Sequence, residues 1–366
     1  MDVALVGLGE AGFTIHLPAL AALGSATVVG AVDPDRSRRD RAGAKFGVPV
    51  FAGFDDMLAD ARPDVVLVAT PPDTHSEYCL RAIAAGAHVI CEKPFVSSVA
   101  EADRVLAAAA AAGRQIAVNH QFRHMPIFEA VRVEARRIGD ISFAQVWQLM
   151  DLPPATESGW RGQLVQRTLY EAGIHLVDFL VALFGERPLA VSASMSAGPG
   201  GGSADAIALV TLEFSRGRLA QITQNRLCAG PRQYFEVRAE TGDASLRASF
   251  GGRSRVSAGL YRGTRPHLRF DYGASGLAWS EHGSRRTVLA RNPRQPMVMA
   301  TRQVLGRSLE AFRTGEAPPT SGADARNLLA IVAACYQSAA TGSRVPLDAE
   351  TDARLSTLRL GNVSGR

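Results

Sequence analysis

The chain has 366 residues, 46% apolar and 20% charged, with 40 basic against 35 acidic side chains and a formal net charge of +5. At ~100 to 200 residues per domain that length gives roughly two globular domains. The balance excludes an intrinsically disordered or collagenous chain, and no apolar run approaches the ~20 residues that span a bilayer. Cys79, Cys91, Cys228 and Cys335 form no C-x-x-C pair, which argues against a disulfide framework and a structural zinc site. Asp2, Gly7 and Gly9 interrupt any signal-peptide pattern, so the expected compartment is the cytoplasm.

From the N-terminus to about residue 119, short β-branched runs alternate with alanine-rich helical patterns, the pattern of βαβ units and a parallel sheet. Strands are predicted at 3–7, 27–33, 65–70, 88–92 and 116–119, and helices at 11–23, 36–46, 75–85 and 99–112. The pattern then changes. A helix at 126–138 leads into 141–150, where Ile141, Phe143, Trp147 and Leu149 share one face at period two. Strand-like runs follow at 189–194, 206–214, 218–223, 234–239 and 254–261, with helices at 169–184, 299–313 and 323–341. The expected architecture is α/β: a doubly wound Rossmann domain over 1–122, then an α+β substrate-binding and oligomerisation domain over 123–366 with a large, mostly antiparallel open sheet. The glycine-rich 198–203 lacks the lysine of a P-loop and is predicted to be a mobile connection. Nine arginines between 253 and 294 interleave with aromatics, a pattern that surface strands also produce in a chain with two lysines; no nucleic-acid partner is expected.

Gly7-Leu8-Gly9-Glu10-Ala11-Gly12 follows an apolar strand and opens a helix. Such glycines serve a tight turn, close approach of the pyrophosphate and helix-on-sheet packing. The second strand ends at Asp33-Pro34, where a carboxylate accepts hydrogen bonds from a ribose diol and repels a 2′-phosphate. NAD is therefore the expected cofactor, with Ser37 and Arg38 leaving NADP open. Thr70-Pro71-Pro72-Asp73-Thr74-His75 and Cys91-Glu92-Lys93-Pro94 end the third and fourth strands, and in a parallel sheet all these segments converge on one edge. His75 reads as a helix-start histidine on that edge. Lys93 is one of only two lysines, the other being Lys45, in a chain that otherwise uses arginine. His120 and His124 are spaced i, i+4 without a third ligand, so no metal is expected. His16 suits either packing or the cofactor edge.

The dinucleotide turn, the TPPDTH segment and AGAHVICEKPF resemble the glucose-fructose oxidoreductase, inositol dehydrogenase and rhizopine catabolism (Gfo/Idh/MocA) family. Asn119-His120-Gln121-Phe122-Arg123, the stretch from Leu152-Pro153-Pro154 to Trp160-Arg161, and Glu171-Ala172-Gly173-Ile174-His175-Leu176-Val177-Asp178 extend the resemblance in order, most closely to its 1,5-anhydrofructose reductase branch. The resemblance implies that Lys93 hydrogen-bonds the reacting oxygen, that His175 is the general acid/base with Glu171 beside it, and that Trp160 and Arg161 lie by cofactor and substrate. It places Gly7, Gly9, Glu10, Ala11, Gly12, Asp33, Pro34, Arg38, Thr70, Pro71, Pro72, His75, Glu92, Lys93, Gln121, Trp160 and Arg161 at the cofactor. Lys93, Arg123, Trp160, Arg161, Glu171 and His175 are the expected substrate contacts. Two departures stand out: Val165-Gln166-Arg167-Thr168 replaces a glycine-rich lead-in, and Glu171 stands where many members have aspartate. On a helix, Glu171 and His175 project from one face.

The implied activity is hydride transfer between nicotinamide and a hydroxyl or keto carbon of a sugar, cyclitol or sugar derivative, in a homodimer or homotetramer formed through the C-terminal sheet. Arg161, Arg167 and Arg123 leave room for an anionic substituent. The alternatives are an NAD-dependent glycoside hydrolase or lyase with transient redox, an imine reductase, and a redox-dead NAD(P)-binding regulator.

Overall fold

A computed structural model describes residues 1–139, 141–150, 159–199, 202–229, 233–251, 255–261, 265–271 and 276–361. Two compact units emerge, and neither is continuous in sequence. The first comprises Met1–His124, Met297–Ala333 and Asp352–Leu360, and the second Met125–Pro296, Ala334–Thr351 and Gly361–Arg366.

Six parallel strands form the first unit's sheet: β1 (Asp2–Val6), β2 (Thr27–Val32), β3 (Val50–Phe51), β4 (Val65–Val68), β5 (His88–Glu92) and β6 (Ile116–Asn119), in the order β3-β2-β1-β4-β5-β6. This doubly wound order reverses beside β1, which opens a ligand crevice at the carboxyl ends of the strands. All four aliphatic residues of β4 are buried, as a strand covered on both faces requires. The helices are α1 (Leu17–Ala21), α2 (Arg36–Phe46), α3 (Phe54–Ala61), α4 (Pro72–Ala84) and α5 (Val99–Ala111). Helix α2 begins where Asp35 accepts from the Ser37 N–H at 2.8 Å and stops at Gly47, whose φ of 67° supplies the left-handed cap. The single helix expected at 11–23 is instead a π turn (Gly12–His16) running into α1. β3 and α3 were not expected. Two residues are too short for a periodic signal, and Gly53 before α3 carries no side-chain cap.

In the second unit, α6 (Pro126–Ile138) buries Ile127, Phe128, Val131 and Ala135, one helical stripe. β7 (Ile141–Leu149) follows, then a π turn (Thr168–Gly173) and α7 (Ile174–Phe184). The remaining strands are β8 (Ala190–Ser196), β9 (Ile207–Glu213), β10 (Leu219–Asn225), β11 (Gln233–Thr241), β12 (Ser245–Gly251), β13 (Arg255–Tyr261), β14 (Arg265–Asp271), β15 (Leu277–His282) and β16 (Arg285–Arg291). β13 and β14 form a separate hairpin, while the others join β7 in a sheet ordered β16-β15-β12-β11-β7-β10-β9-β8. Its pairs are antiparallel except β7 with β10. Phe128, Phe179 and Phe235 meet beneath it with ring centroids 4.4 to 5.5 Å apart. The covered face of β7 carries Ala144, Val146 and Gln148, whereas Phe143, Trp147 and Leu149 lie half-exposed on the other face. β12 and β14 to β16 were also not expected; much of the basic 253–294 stretch is hairpin, with Arg286 stacked 4.1 Å over Trp279.

The closing elements are α8 (Pro296–Thr314), α9 (Gly322–Thr341), the two-residue strand β17 (Val345–Pro346) beside β8, and α10 (Ala349–Leu355). A continuous second domain over 123–366 is therefore corrected. Leu305, Leu309 and Phe312 of α8 are buried in one core with Val3, Leu5 and Leu67. Val118 donates to the Thr320 carbonyl at 2.9 Å, and an isolated bridge from Ala117 to Ser321 covers the edge of β6.

Candidate active site

In the first unit the three glycines of the turn have separate geometries. Gly7 has φ +98°, and a Cβ there would sit 2.5 Å from the Ala69 carbonyl oxygen; at Gly12 a Cβ would strike the Gly7 carbonyl. At Gly9 it would meet nothing within 4 Å. Two glycines thus close the turn on the sheet, and the third leaves a bare backbone cradle that a pyrophosphate can enter. Glu10 and Ala11 continue into the π turn, with the Glu10 carbonyl accepting from Thr14 Oγ1 at 2.6 Å.

Asp33, buried at the end of β2, locks this turn. Its Oδ2 accepts from the Leu8 N–H at 2.9 Å and its Oδ1 from the Asp35 N–H at 2.9 Å. Arg38 Nη1 lies 3.5 Å from the same Oδ2, and Arg39 donates to the Asp33 and Pro34 carbonyls at 2.7 and 2.8 Å.

At the end of β4, the Thr70 hydroxyl accepts from Thr74 and the Pro71 carbonyl accepts from the Thr74 N–H, which starts α4 at Pro72. His75, expected at the cofactor, faces three backbone carbonyls. Fully buried, its Nδ1 faces the Pro94 and Phe95 carbonyls at 2.9 and 3.1 Å and its Nε2 the Thr70 carbonyl at 2.8 Å. It pins the turn after Lys93, which contains a cis peptide before Pro94. Burial, outweighing these carbonyls, holds its pKa below the ordinary histidine value.

Glu92 is likewise committed within the protein. Its Oε1 accepts from His16 Nε2 at 2.6 Å and Asn119 Nδ2 at 2.7 Å, and its Oε2 accepts from the Lys93 N–H at 3.0 Å. Burial opposes its ionisation most strongly, but the hydrogen bond and charge of His16, the Lys93 charge and Asn119 together prevail and hold the pKa at about 2. Lys93 is half-buried beside this carboxylate. His120, one residue past β6, is pushed down to about 3 by burial and then by the Arg123 and Lys93 charges. Gln121 is buried, and among the described residues no donor reaches its Oε1. Arg123, expected at substrate, donates to the Pro319 carbonyl at 2.5 Å and Thr320 Oγ1 at 2.6 Å, fixing the segment that edges β6.

The second unit carries Trp160, Arg161, Glu171 and His175. The Arg161 guanidinium lies 4.4 Å over the Trp160 ring. Glu171 accepts from Arg161 Nε at 3.2 Å and from Arg226 Nη1, a buried guanidinium just past β10, at 3.3 Å. His175 is buried in the first turn of α7. Glu171 lies in a π turn rather than in the expected α-helix, and His175 follows in α7. Asp205 anchors that turn: its Oδ1 accepts from the Arg167 and Thr168 N–H groups at 2.6 and 3.0 Å, and Tyr336 donates to its Oδ2 at 2.8 Å. Beneath the turn, Gln224 Nε2 donates to Gln148 Oε1 at 2.8 Å on the covered face of the sheet. Asp205, Arg226, Gln148 and Gln224 were not anticipated; no motif marks them, and Gln148 and Gln224 meet only through strand register. Arg167 Nε is bound to the Asp205 carbonyl. The Leu152-Pro153-Pro154 segment lies outside the described residues.

No group of three or more His, Cys, Asp or Glu that could hold a metal occurs among the described residues, and no helix there is long and apolar enough to cross a membrane.

A doubly wound sheet with a glycine cradle and a buried carboxylate ending its second strand defines a dinucleotide-binding protein. Residues 1–120 match the model of an oxidoreductase family with an NAD-binding Rossmann fold (GFO_IDH_MocA), and residues 131–245 match the C-terminal domain model of the same family. The chain belongs to the Gfo/Idh/MocA family of oxidoreductases. It is 27% identical over 358 residues to a D-apiose dehydrogenase of Paraburkholderia graminis, covering 93% of this chain and 89% of that one. To a 1,5-anhydro-D-fructose reductase of Ensifer adhaerens it is 30% identical over 194 residues, 51% of this chain and 58% of the other. In that and other leading alignments the chain spans only about half the length of the curated relative. The structure of an oxidoreductase from Agrobacterium radiobacter in complex with NAD+, L-tartaric acid and magnesium superimposes with a TM-score of 0.81 at 18% identity, over 95% of this chain and 98% of that one, and shares its fold.

Proposed function

We propose that the protein is an NAD-dependent dehydrogenase or reductase acting on a hydroxyl or keto carbon of a sugar, cyclitol or sugar derivative. The observation that carries this is the cradle at Gly9, with Asp33 locking the turn beside it and Lys93 held on a fixed turn at the same edge of the sheet. The names of the relatives, D-apiose dehydrogenase and 1,5-anhydro-D-fructose reductase, support the substrate class.

The residues suit NAD. The bare backbone at Gly9 and the N–H groups opening the helix take the pyrophosphate, Asp33 and Pro34 the adenosine ribose, and Thr70, Pro71, Pro72 and Gln121 the nicotinamide end, where the acceptor at Gln121 Oε1 suits a carboxamide. When bound, the cofactor supplies the ring that gives or takes the hydride. Lys93 donates to the oxygen of the reacting carbon, and the planar guanidinium of arginine would not replace its compact ammonium. His175 exchanges the hydroxyl proton. Glu171, set by Arg161 and Arg226, fixes the polar wall of the His175 segment, and Trp160 gives a sugar ring an apolar face. NADH is preferred over NADPH because Asp33 presents negative charge and draws Arg38 toward itself. Cofactor titration of the wild type and Asp33→Ser tests this: NADH should bind at least tenfold tighter to the wild type, ~1.4 kcal/mol, and the preference should shrink in the variant. A wild type favouring NADPH tenfold contradicts the assignment.

The assembly proposed is a homodimer or homotetramer through the exposed face of the second unit's sheet, where Leu209, Thr223 and Trp147 form a row. Light scattering should show more than one copy, and Leu209→Glu should reduce it.

A further inference from the structure

The activity proposed above assigns no role to His16. It is fully buried at the end of the π turn that follows the dinucleotide loop. Its Nε2 donates to Glu92 Oε1, the same oxygen that Asn119 holds, while the other oxygen of Glu92 takes the Lys93 N–H. His16 Nδ1 and Asn119 Oδ1 are buried with no hydrogen-bond partner among the described residues, and the Asn119 amide, which also reaches Thr301 Oγ1 at 3.5 Å, makes its shorter contact to Glu92. A buried carboxylate is thus gripped from the dinucleotide helix, from β6 and from the lysine's own backbone.

We propose that His16 is a positioning residue for Lys93, holding Glu92 as an oriented carboxylate that fixes the lysine-bearing turn and serves as the ammonium's counter-charge. This rests on the role given to Lys93 above. The charged and titratable groups facing Glu92 are His16 from the π turn, Lys93 and Cys91 from its own segment, His120 from the end of β6 and His75 from α4. Burial is the strongest influence on Glu92 and favours the neutral acid. Removing the His16 donor therefore lets burial win: Glu92 takes up a proton, one of its oxygens becomes a donor, and the grip on the Lys93 turn loosens.

The experiment follows the Glu92 carboxyl carbon by NMR in cofactor-free protein labelled with [δ-13C]glutamate, its resonance assigned with Glu92→Gln, alongside the pH profile of kcat. In the wild type Glu92 should stay ionised down to about pH 3, its pKa being held at about 2. In His16→Leu its midpoint should rise above the ordinary 4.5, and kcat should gain an acid limb at that midpoint, falling roughly tenfold per pH unit below it. His16→Gln, whose amide donates in place of the ring, should restore both. If His16→Leu does not fold, Asn119→Leu removes the other donor to the same oxygen with the same expected direction. An unmoved Glu92 midpoint, or an unchanged kcat profile beside a raised midpoint, overturns the proposal. Lys93→Ala separates the two ideas: turnover that survives it overturns the role of Lys93, whereas its loss with unmoved His16→Leu profiles overturns the positioning role alone.

Discussion

At the scale of single residues, Lys93 was legible because lysine is rare in this chain, and its support was not. Glu92 and His75, expected at the cofactor from their place at the strand ends, also hold the Lys93 loop. A sequence shows which residues reach an edge and not which of them the backbone has already claimed. Lys93→Arg should reduce kcat nearly as much as Lys93→Ala, with NADH affinity within a few-fold of wild type; retention of most activity by the arginine variant would show that the lysine only finishes a strand. His175→Ala should lower kcat by about 10²- to 10⁴-fold with a smaller change in KM, and more than a tenth of the activity remaining would contradict its role as acid/base. His120, held neutral to about pH 3, and Glu92, held ionised to about pH 2, both bind fewer protons folded than unfolded. Their stabilisation is therefore complete above the unfolded values of 6.5 and 4.5 and is lost as pH falls through these windows. Urea unfolding should show stability declining from about pH 6.5 downward, with the upper part of the decline absent in His120→Asn.

At the scale of elements, the α2, β5, β6 and α6 bounds were readable from local marks: Asp35 and Gly47 bracket α2, Pro126 and Gly139 bracket α6, and β5 and β6 are short buried runs. The π turns were not, since an i→i+5 register leaves no compositional mark and changes which residues share a face. Gly173 shows what holds the second one. A Cβ there would strike Gln224 Oε1, whose amide is tied to Gln148, and would lie 2.8 Å from a Leu169 methyl. Gly173→Ala should cost about 1 to 3 kcal/mol by overpacking. It should also lower kcat more than it weakens cofactor binding, because the turn carries Glu171 and leads into His175. Pairing it with Gln224→Ala should recover part of the stability in denaturant titration; no recovery would place the strain elsewhere.

At the scale of the whole molecule, two units were visible in the change of pattern after Arg123, but the return of α8 to the first core was not. Its apolar stripe is equally consistent with packing on either sheet, and only the fold chooses. Leu305 is fully buried in the Rossmann core, so Leu305→Ala should cost about 2 to 5 kcal/mol, and a fragment ending at residue 124 should lack the cooperative unfolding of the full chain. The central claim is that this chain moves a hydride between NAD and a carbon of a sugar-class substrate. It is tested most directly by incubating the protein with C4-deuterated NADH and a panel of keto sugars and oxidised cyclitols, and measuring deuterium in the product by mass spectrometry. One deuterium per product, bound to the carbon that becomes CH–OH, is the predicted result; substrate turnover with no deuterium retained and no net NADH consumed would contradict it.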